Sequence, residues 1–419
     1  MKKKLVMLIS FLLIFILCLN LVGCGNIKSQ NLMKDITAQK IKPITEFQNG
    51  NIAAIDFAVR LFKECEQSGK NTLISPLSVM YSLAMTANGA DGNTLAEMED
   101  VLGMPINDLN KYLYSYKKSL PQGEKYKLNL ANSIWFSKAK DFKANQVFLQ
   151  TNANYYGANI YEADFSKKST LNDINKWVSL KTEKMIPEIV EKIEDDDVMF
   201  LINALTFDAE WSTKYKDANV KSGVFTQEDG TTQNVKFMYS TETLYHEDEN
   251  TVGFSKYYYD CKYAFVAMLP NENITISKYV NLLNGEKISN LLVSKPNVIV
   301  NAAIPKFEHK YEITLNENLK QMGMPLAFDE DKADLSKLGR ATGGRLYIGE
   351  VLHKTFIGVN EDGTKAAAAT ETRIKKKAAV VNVDKEIKTV YLDRPFVYMI
   401  IDCQNNVPIF MGTVMSVEN

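Results

Sequence analysis

The side chains able to do chemistry are sparse and scattered. His246, His309 and His353 are the only histidines, and they lie far apart in the chain. No His-x-x-His or Cys-x-x-Cys spacing sets two ligands side by side, so a metal centre and a histidine-dependent catalytic centre are not expected. The Gly-x-Ser-x-Gly elbow of a serine hydrolase is also missing. One stretch does carry a pattern: Thr364 to Lys377, T-K-A-A-A-A-T-E-T-R-I-K-K-K. Propensity alone makes it an exposed charged helix, since it is rich in Ala, Glu, Lys and Arg. At period two it sorts differently. Thr364, Ala366, Ala368, Thr370, Thr372 and Ile374 carry no charge, while Lys365, Glu371, Arg373 and Lys375 all fall on the other set. A strand in a sheet would turn the first set inward and the second to water. The inward residues are small or β-branched, so such a strand could slide between two others without overpacking. Lys376 is the first charge on the inward set, which ends the pattern.

The elements that would position this stretch belong to one long domain. In 419 residues, 46% are hydrophobic and 24% charged, as in an ordinary globular protein. Lys+Arg is 49 and Asp+Glu is 50, so no global field favours nucleic acid. Five cysteines cannot form a disulfide framework. Cys65, Cys261 and Cys403 sit in apolar contexts and read as buried, unreactive thiols. Ile55, Ala58, Val59 and Phe62 fall at helical spacing, and Ser75-Pro76 starts another helix. Leu171 to Glu191 reads as helix. Asn129 to Phe136, Met199 to Ile202, Tyr263 to Leu269 and Val298 to Ile304 read as strands. Phe396 to Ile401 and Pro408 to Val414 form a hairpin turned at Asn405-Asn406. Helices early and strands late argue an α+β fold.

Five motifs occur in order across roughly residues 50–419 and resemble the serpin family. Asn71-Thr72-Leu73-Ile74-Ser75-Pro76-Leu77-Ser78, followed by Ala84-Met85 and Gly89-Ala90, looks like the family's N-terminal signature. Leu201-Ile202-Asn203-Ala204 with Phe207 and Trp211 looks like its central strand. Gly363-Thr364-Lys365-Ala366-Ala367-Ala368-Ala369-Thr370 looks like its loop hinge. Arg394-Pro395-Phe396 and Phe410-Met411-Gly412 look like its C-terminal strands. The resemblance implies a single domain over 51–419, with three β-sheets and about nine helices. A reactive-centre loop would span about 361–390.

It also implies action as a suicide inhibitor of serine proteases, with no enzymatic turnover, no cofactor and a monomeric state. The partner would be a protease held covalently. Family spacing from Gly363 points to Lys377-Ala378 as the reactive bond, and Lys before the bond suits a trypsin-like pocket. Arg373, Lys375, Lys376 and Ala379-Val380 remain open. The hinge would comprise Glu361, Gly363, Thr364, Ala366, Ala367, Ala368, Ala369 and Thr370. Ser75, Ser78, Asn203 and His353 match the family's shutter, a buried polar cluster under the central sheet. Trp211, Lys306 and Glu361 match its breach, where insertion begins. Two departures stand out: Lys365 sits where the family often has Glu, and Lys377 to Pro395 is longer than in many members. A non-inhibitory serpin serving as a cell-surface binding protein, or an inhibitor of a cysteine protease, are the competing readings.

The N-terminus reads as an address. Lys2, Lys3 and Lys4 precede an apolar run from Leu5 to Val22. Its ending, Leu21-Val22-Gly23-Cys24, resembles the bacterial lipobox. This implies a signal peptide over 1–23 and a lipid on Cys24, which would hold an extracytoplasmic protein on the outer face of the cell membrane. Residues 24–50 are polar and unpatterned and read as a flexible tether.

Overall fold

The computed structural model describes residues 27–194, 197–293, 295–342, 344–364 and 385–418. Those residues form nine α-helices and three large β-sheets, with one small two-stranded ladder. The seven-stranded sheet runs Gln30–Asn31, Asn159–Ala163, Tyr126–Ser137, Met199–Glu210, Gly363–Thr364, Glu350–Val359, Phe307–Thr314. Its middle strand, Met199–Glu210, is buried along nearly its whole length. An unbroken apolar run of this kind fits a strand covered on both faces.

The two covers differ. On the inner face lies the helix Pro76–Ala87, every residue of which is buried. It touches both the seven-stranded sheet and the Pro408–Val414 strand of the six-stranded sheet. Ser75 caps it by accepting from Ser78 N, and Pro76 stands at its first turn, where a missing N–H costs nothing. The outer face is covered by the helix Lys168–Lys181, whose Ile174, Trp177 and Val178 pack with Phe200, Ile202 and Ala204.

The C-terminal hairpin forms as expected, with Asn406 in the left-handed region at its turn. The helix expected over Leu171 to Glu191 ends at Lys181. Glu183 and Lys184 take positive φ, and Pro187 bars further helix. Buried Asn175 then holds the non-helical chain through the N–H groups of Ile189 and Val190.

The expected tether is also corrected: from Ile27 on, it is strapped to the body. Lys28 N, Ser29 N and Ser29 Oγ all donate to the Asp173 carboxylate at 2.7–2.9 Å. Gln30–Asn31 adds an edge strand to the central sheet. Further along, Gln39 N binds Asn154 Oδ1 and Ile44 N binds Ser115 Oγ. Leu32, Met33, Ile36, Ile44 and Phe47 lay their side chains on the core. They are scattered apolar residues, only Leu32 and Met33 adjacent, in a polar stretch, which suits a strap lying on a surface. The folded body therefore includes residues from 27 on, ahead of residue 51.

Candidate functional site

The Met199–Glu210 and Glu350–Val359 strands are parallel neighbours, Phe200 to Thr206 opposing Glu350 to Phe356. Above that paired region they part, and Gly363–Thr364 enters the gap. Gly363 opposes Glu210, and Thr364 opposes both Ala209 and Val359. A Cβ on Gly363 would sit 2.0 Å from the Ala209 carbonyl oxygen. Only glycine lets the backbone approach this closely.

Around this entry the side chains form a collar. Trp211 Nε1 donates to the Asn360 carbonyl at 2.8 Å, and Trp211 N to the Asp362 carbonyl at 2.9 Å. The Trp211 ring stacks on Tyr258 at 4.4 Å and 11°, and Tyr258 Oη pairs with Thr364 Oγ1 at 2.5 Å. Lys306 Nζ meets Glu361 at 2.6 Å. Burial alone would raise the Glu361 carboxyl, but the Lys306 ammonium holds it below its usual range. Trp211, Lys306 and Glu361, singled out from the sequence, thus share one place.

The collar has members that the sequence analysis missed. Lys256 is buried with Glu242 at 2.8 Å and lies over the rings of Tyr215 and Trp211, at 4.5 and 5.6 Å. A desolvated cation between two ring faces is strongly held. Lys214 bridges Glu210 and Asp362. The buried lysine lies within a strand, Thr251–Tyr257, where nothing in the pattern sets it apart from a solvated charge.

Below the gap, where the two strands are paired, lies the polar cluster. Ser75 N donates to His353 Nε2 at 3.0 Å, so the ring proton resides on Nδ1. Burial pushes the His353 ring down to about 3. Ser78 Oγ donates to Asn132 Oδ1 at 2.9 Å, and Asn132 Nδ2 returns a bond to the Ser78 carbonyl at 3.0 Å. Asn132, Asn203 and His353 are register partners across three strands. Asn132 was not singled out from the sequence, although it falls on the inward set of its strand. The remaining polar atoms, both amide atoms of Asn203 and His353 Nδ1, have no hydrogen-bond partner among the described residues. Buried groups of this kind are expensive.

The residues Lys365, Ala366, Ala367, Ala368, Ala369 and Thr370, the bond Lys377-Ala378, and Cys24 with the segment 1–23 lie outside the described residues. The two ladders at Thr364 nevertheless define a register. If a strand were to continue downward from Thr364 in this register, Ala368 would fall between Leu205 and Thr355, and Thr370 between Asn203 and His353. The paired region ends at Phe200 and Glu350, opposite Arg373. In an inserted strand of that register the alternating set would line the inner face, and the outer set would meet protein as well as water. Glu371 would lie against Ile202 under the Lys168–Lys181 helix. Arg373 would reach Glu350, whose carboxyl is raised by burial and by Asp197 and Glu194 nearby.

The cysteines also depart from expectation. Cys65 is buried, with its thiol pushed far up by burial, but Cys261 is exposed and Cys403 half-buried.

Comparisons with known proteins agree with this geometry. Residues 53–417 match the family model described as Serpin (serine protease inhibitor). An uncharacterized serpin-like protein of Thermococcus kodakarensis is 30% identical, covering 86% of this chain and 84% of its own. The leukocyte elastase inhibitor of Equus caballus is also 30% identical, covering 82% and 93%. Among solved structures, the thermophilic serpin Tengpin in its native state is 49% identical with a TM-score of 0.87, covering 93% of this chain and 100% of its own. Tengpin in its latent state, 48% identical over 91% of this chain and 100% of its own, fits less closely, at 0.78.

Proposed function

The chain belongs to the serpin family, and from that premise we propose that it is a suicide inhibitor of trypsin-like serine proteases, working through the bond Lys377-Ala378. The observation that carries the reading is the hinge register. Gly363–Thr364 already occupies the top of the gap, and two independent ladders agree on how the rest would follow. The inward set is uncharged down to Ile374, where the paired strands end.

In the proposed sequence the protease serine attacks the Lys377 carbonyl and expels the Ala378 amine, leaving an ester between Lys377 and the protease. The freed end then enters the gap as a new strand. From Thr364 to Ile374 this carries the ester roughly 35 Å, at ~3.3 Å per residue. A displacement of the catalytic groups by only ~1 Å can cost about 100-fold in rate, so hydrolysis of the ester stalls. We also propose a signal peptide over 1–23 and a lipid on Cys24, on the strength of the Leu21-Val22-Gly23-Cys24 pattern.

The test is to mix the chain with a trypsin-like protease. The expected products are an SDS-stable complex and a released peptide starting at Ala378. A peptide starting at Lys377 would move the bond to Lys376. A start at or beyond Val380, or turnover without complex, would overturn the trypsin-like assignment. Lys377→Ala should weaken inhibition at least tenfold, about 1.4 kcal/mol, by leaving the pocket carboxylate unpaired.

A further inference from the structure

Cys261 and Cys403 stand where two strands run out side by side. Tyr263 and Asp402 are the last register partners of the Tyr263–Pro270 and Phe396–Asp402 strands. The pairing runs one residue further, because Cys403 N donates to the Lys262 carbonyl at 3.0 Å. Lys262 thus lies across from Cys403, and Cys261 is its chain neighbour. Opposed Cα atoms in such a pair are about 4.5–5.5 Å apart, and consecutive ones ~3.8 Å. The two cysteines therefore fall within about 9 Å, in a range that includes the ~4.4–6.8 Å of a disulfide. The turn that carries Cys261 is set unusually: Asp260 and Cys261 take φ of +59° and +55° in succession, a region uncommon for residues with a Cβ. Both sulfurs act on the same neighbour, since burial first and then Cys403 and Cys261 raise the Tyr257 hydroxyl. Cys261 is exposed, so a reagent can reach it.

We propose that Cys261 and Cys403 are a modifiable pair that closes to a disulfide under a low-molecular-weight disulfide oxidant. The Cys261 thiolate attacks one sulfur of the oxidant and expels one thiolate, forming a mixed disulfide. Cys403 then loses its proton, attacks the Cys261 sulfur and expels the second thiolate. The protein gives up two electrons and two protons, and the oxidant becomes two thiols. The second step is slow at neutral pH, because burial, then Asp402 and Cys261, push the Cys403 thiol up to about 12. Closure would fix the turn that follows Tyr258, and Tyr258 is bonded to Thr364. The bond would thus brace the collar through Tyr258. This proposal is independent of the protease reading.

The test treats the reduced, folded full-length chain with oxidised glutathione, blocks free thiols with iodoacetamide and maps tryptic peptides. The expected product links the Cys261 and Cys403 peptides, carries no glutathione and leaves Cys65 unreacted. Its rate should rise about tenfold per pH unit through the neutral range. Cys403→Ser should stop at a glutathione adduct on Cys261. The proposal is overturned if the wild-type chain stops at that adduct, joins two chains through Cys261, or leaves Cys261 unmodified. The wild-type map decides even where the variant fails to fold.

Discussion

Thr370→Val isolates the step in which a cut loop becomes a strand. In an inserted strand that kept the register at Thr364, residue 370 would fall between Asn203 and His353. Before insertion both Asn203 amide atoms and His353 Nδ1 lack partners among the described residues. The His353 Nδ1 proton can be donated to a threonine hydroxyl, which can donate its own to Asn203 Oδ1. Two buried hydrogen bonds at ~0.5–1.5 kcal/mol each amount to about 1–3 kcal/mol of insertion energy. Valine keeps the shape and removes both. The assay is the urea midpoint of loop-cleaved chain, nicked by a protease that is not trapped, with uncleaved chain as control. Cleaved Thr370→Val should be about 1–3 kcal/mol less stable than cleaved wild type, Thr370→Ser should fall between, and the uncleaved forms should match. Equal stability of the cleaved proteins would refute the register, and a loss in the uncleaved form would show that residue 370 is already engaged.

Three other outcomes follow from the same geometry. Ala368→Arg should turn the inhibitor into a substrate, because it buries an unpaired guanidinium between Leu205 and Thr355 at several kcal/mol; Ala367→Arg on the other set should do much less, and equal damage on complex-forming gels would defeat the parity argument. Arg373→Glu should lower the stability of the cleaved form more at low salt than at high salt, since it would face Glu350, Glu194 and Asp197; a salt-independent effect would contradict that placement. The third concerns pH: burial pushes His246 and His309 down to about 4 and His353 to about 3, while unfolded histidine titrates near ~6.5. Between those values the unfolded chain binds more protons, so stability is fullest above about pH 6.5 and falls on acidification. The slope should reach up to ~1.4 kcal/mol per pH unit for each histidine, and a urea midpoint that stays flat from about pH 7 to about pH 5 would rule this out.

Much of this molecule was legible because its constraints are local in sequence. The Ser75-Pro76 helix start, the middle strand and the C-terminal hairpin each announce themselves through a cap, an apolar run or a turn. The loop pattern was legible because insertion demands parity. What escaped depends on contacts distant in sequence. Ser29 and Asp173 meet across 144 positions, and nothing in a polar stretch reveals the carboxylate waiting for it. Lys256 looked like any charge, since its cage draws Trp211 and Tyr215 from the segment after Glu210 and Glu242 from the end of a separate strand.

The strap at the N-terminus gives the molecule a direction. Gln30 lies level with Glu162, Phe136 and Met199 across the central sheet, which is the pole opposite the hinge at Ala209 and Glu210. If Cys24 carries the proposed lipid, two residues, Gly25 and Asn26, separate it from Ile27, a span of at most ~10 Å over three steps. The body would then stand close on the bilayer with its bait held outward by the height of the sheet, roughly 33 Å for the ten steps from Met199 to Ala209. Insertion would run downward, and a trapped protease would travel toward the lipid and be pressed between inhibitor and membrane. Bulky proteases should therefore be trapped less well by anchored chains than by chains released from the surface, and inserting a long Gly/Ser spacer before Ile27 should erase the difference. Equal trapping of large and small proteases on the native anchor would show that the body is not held upright.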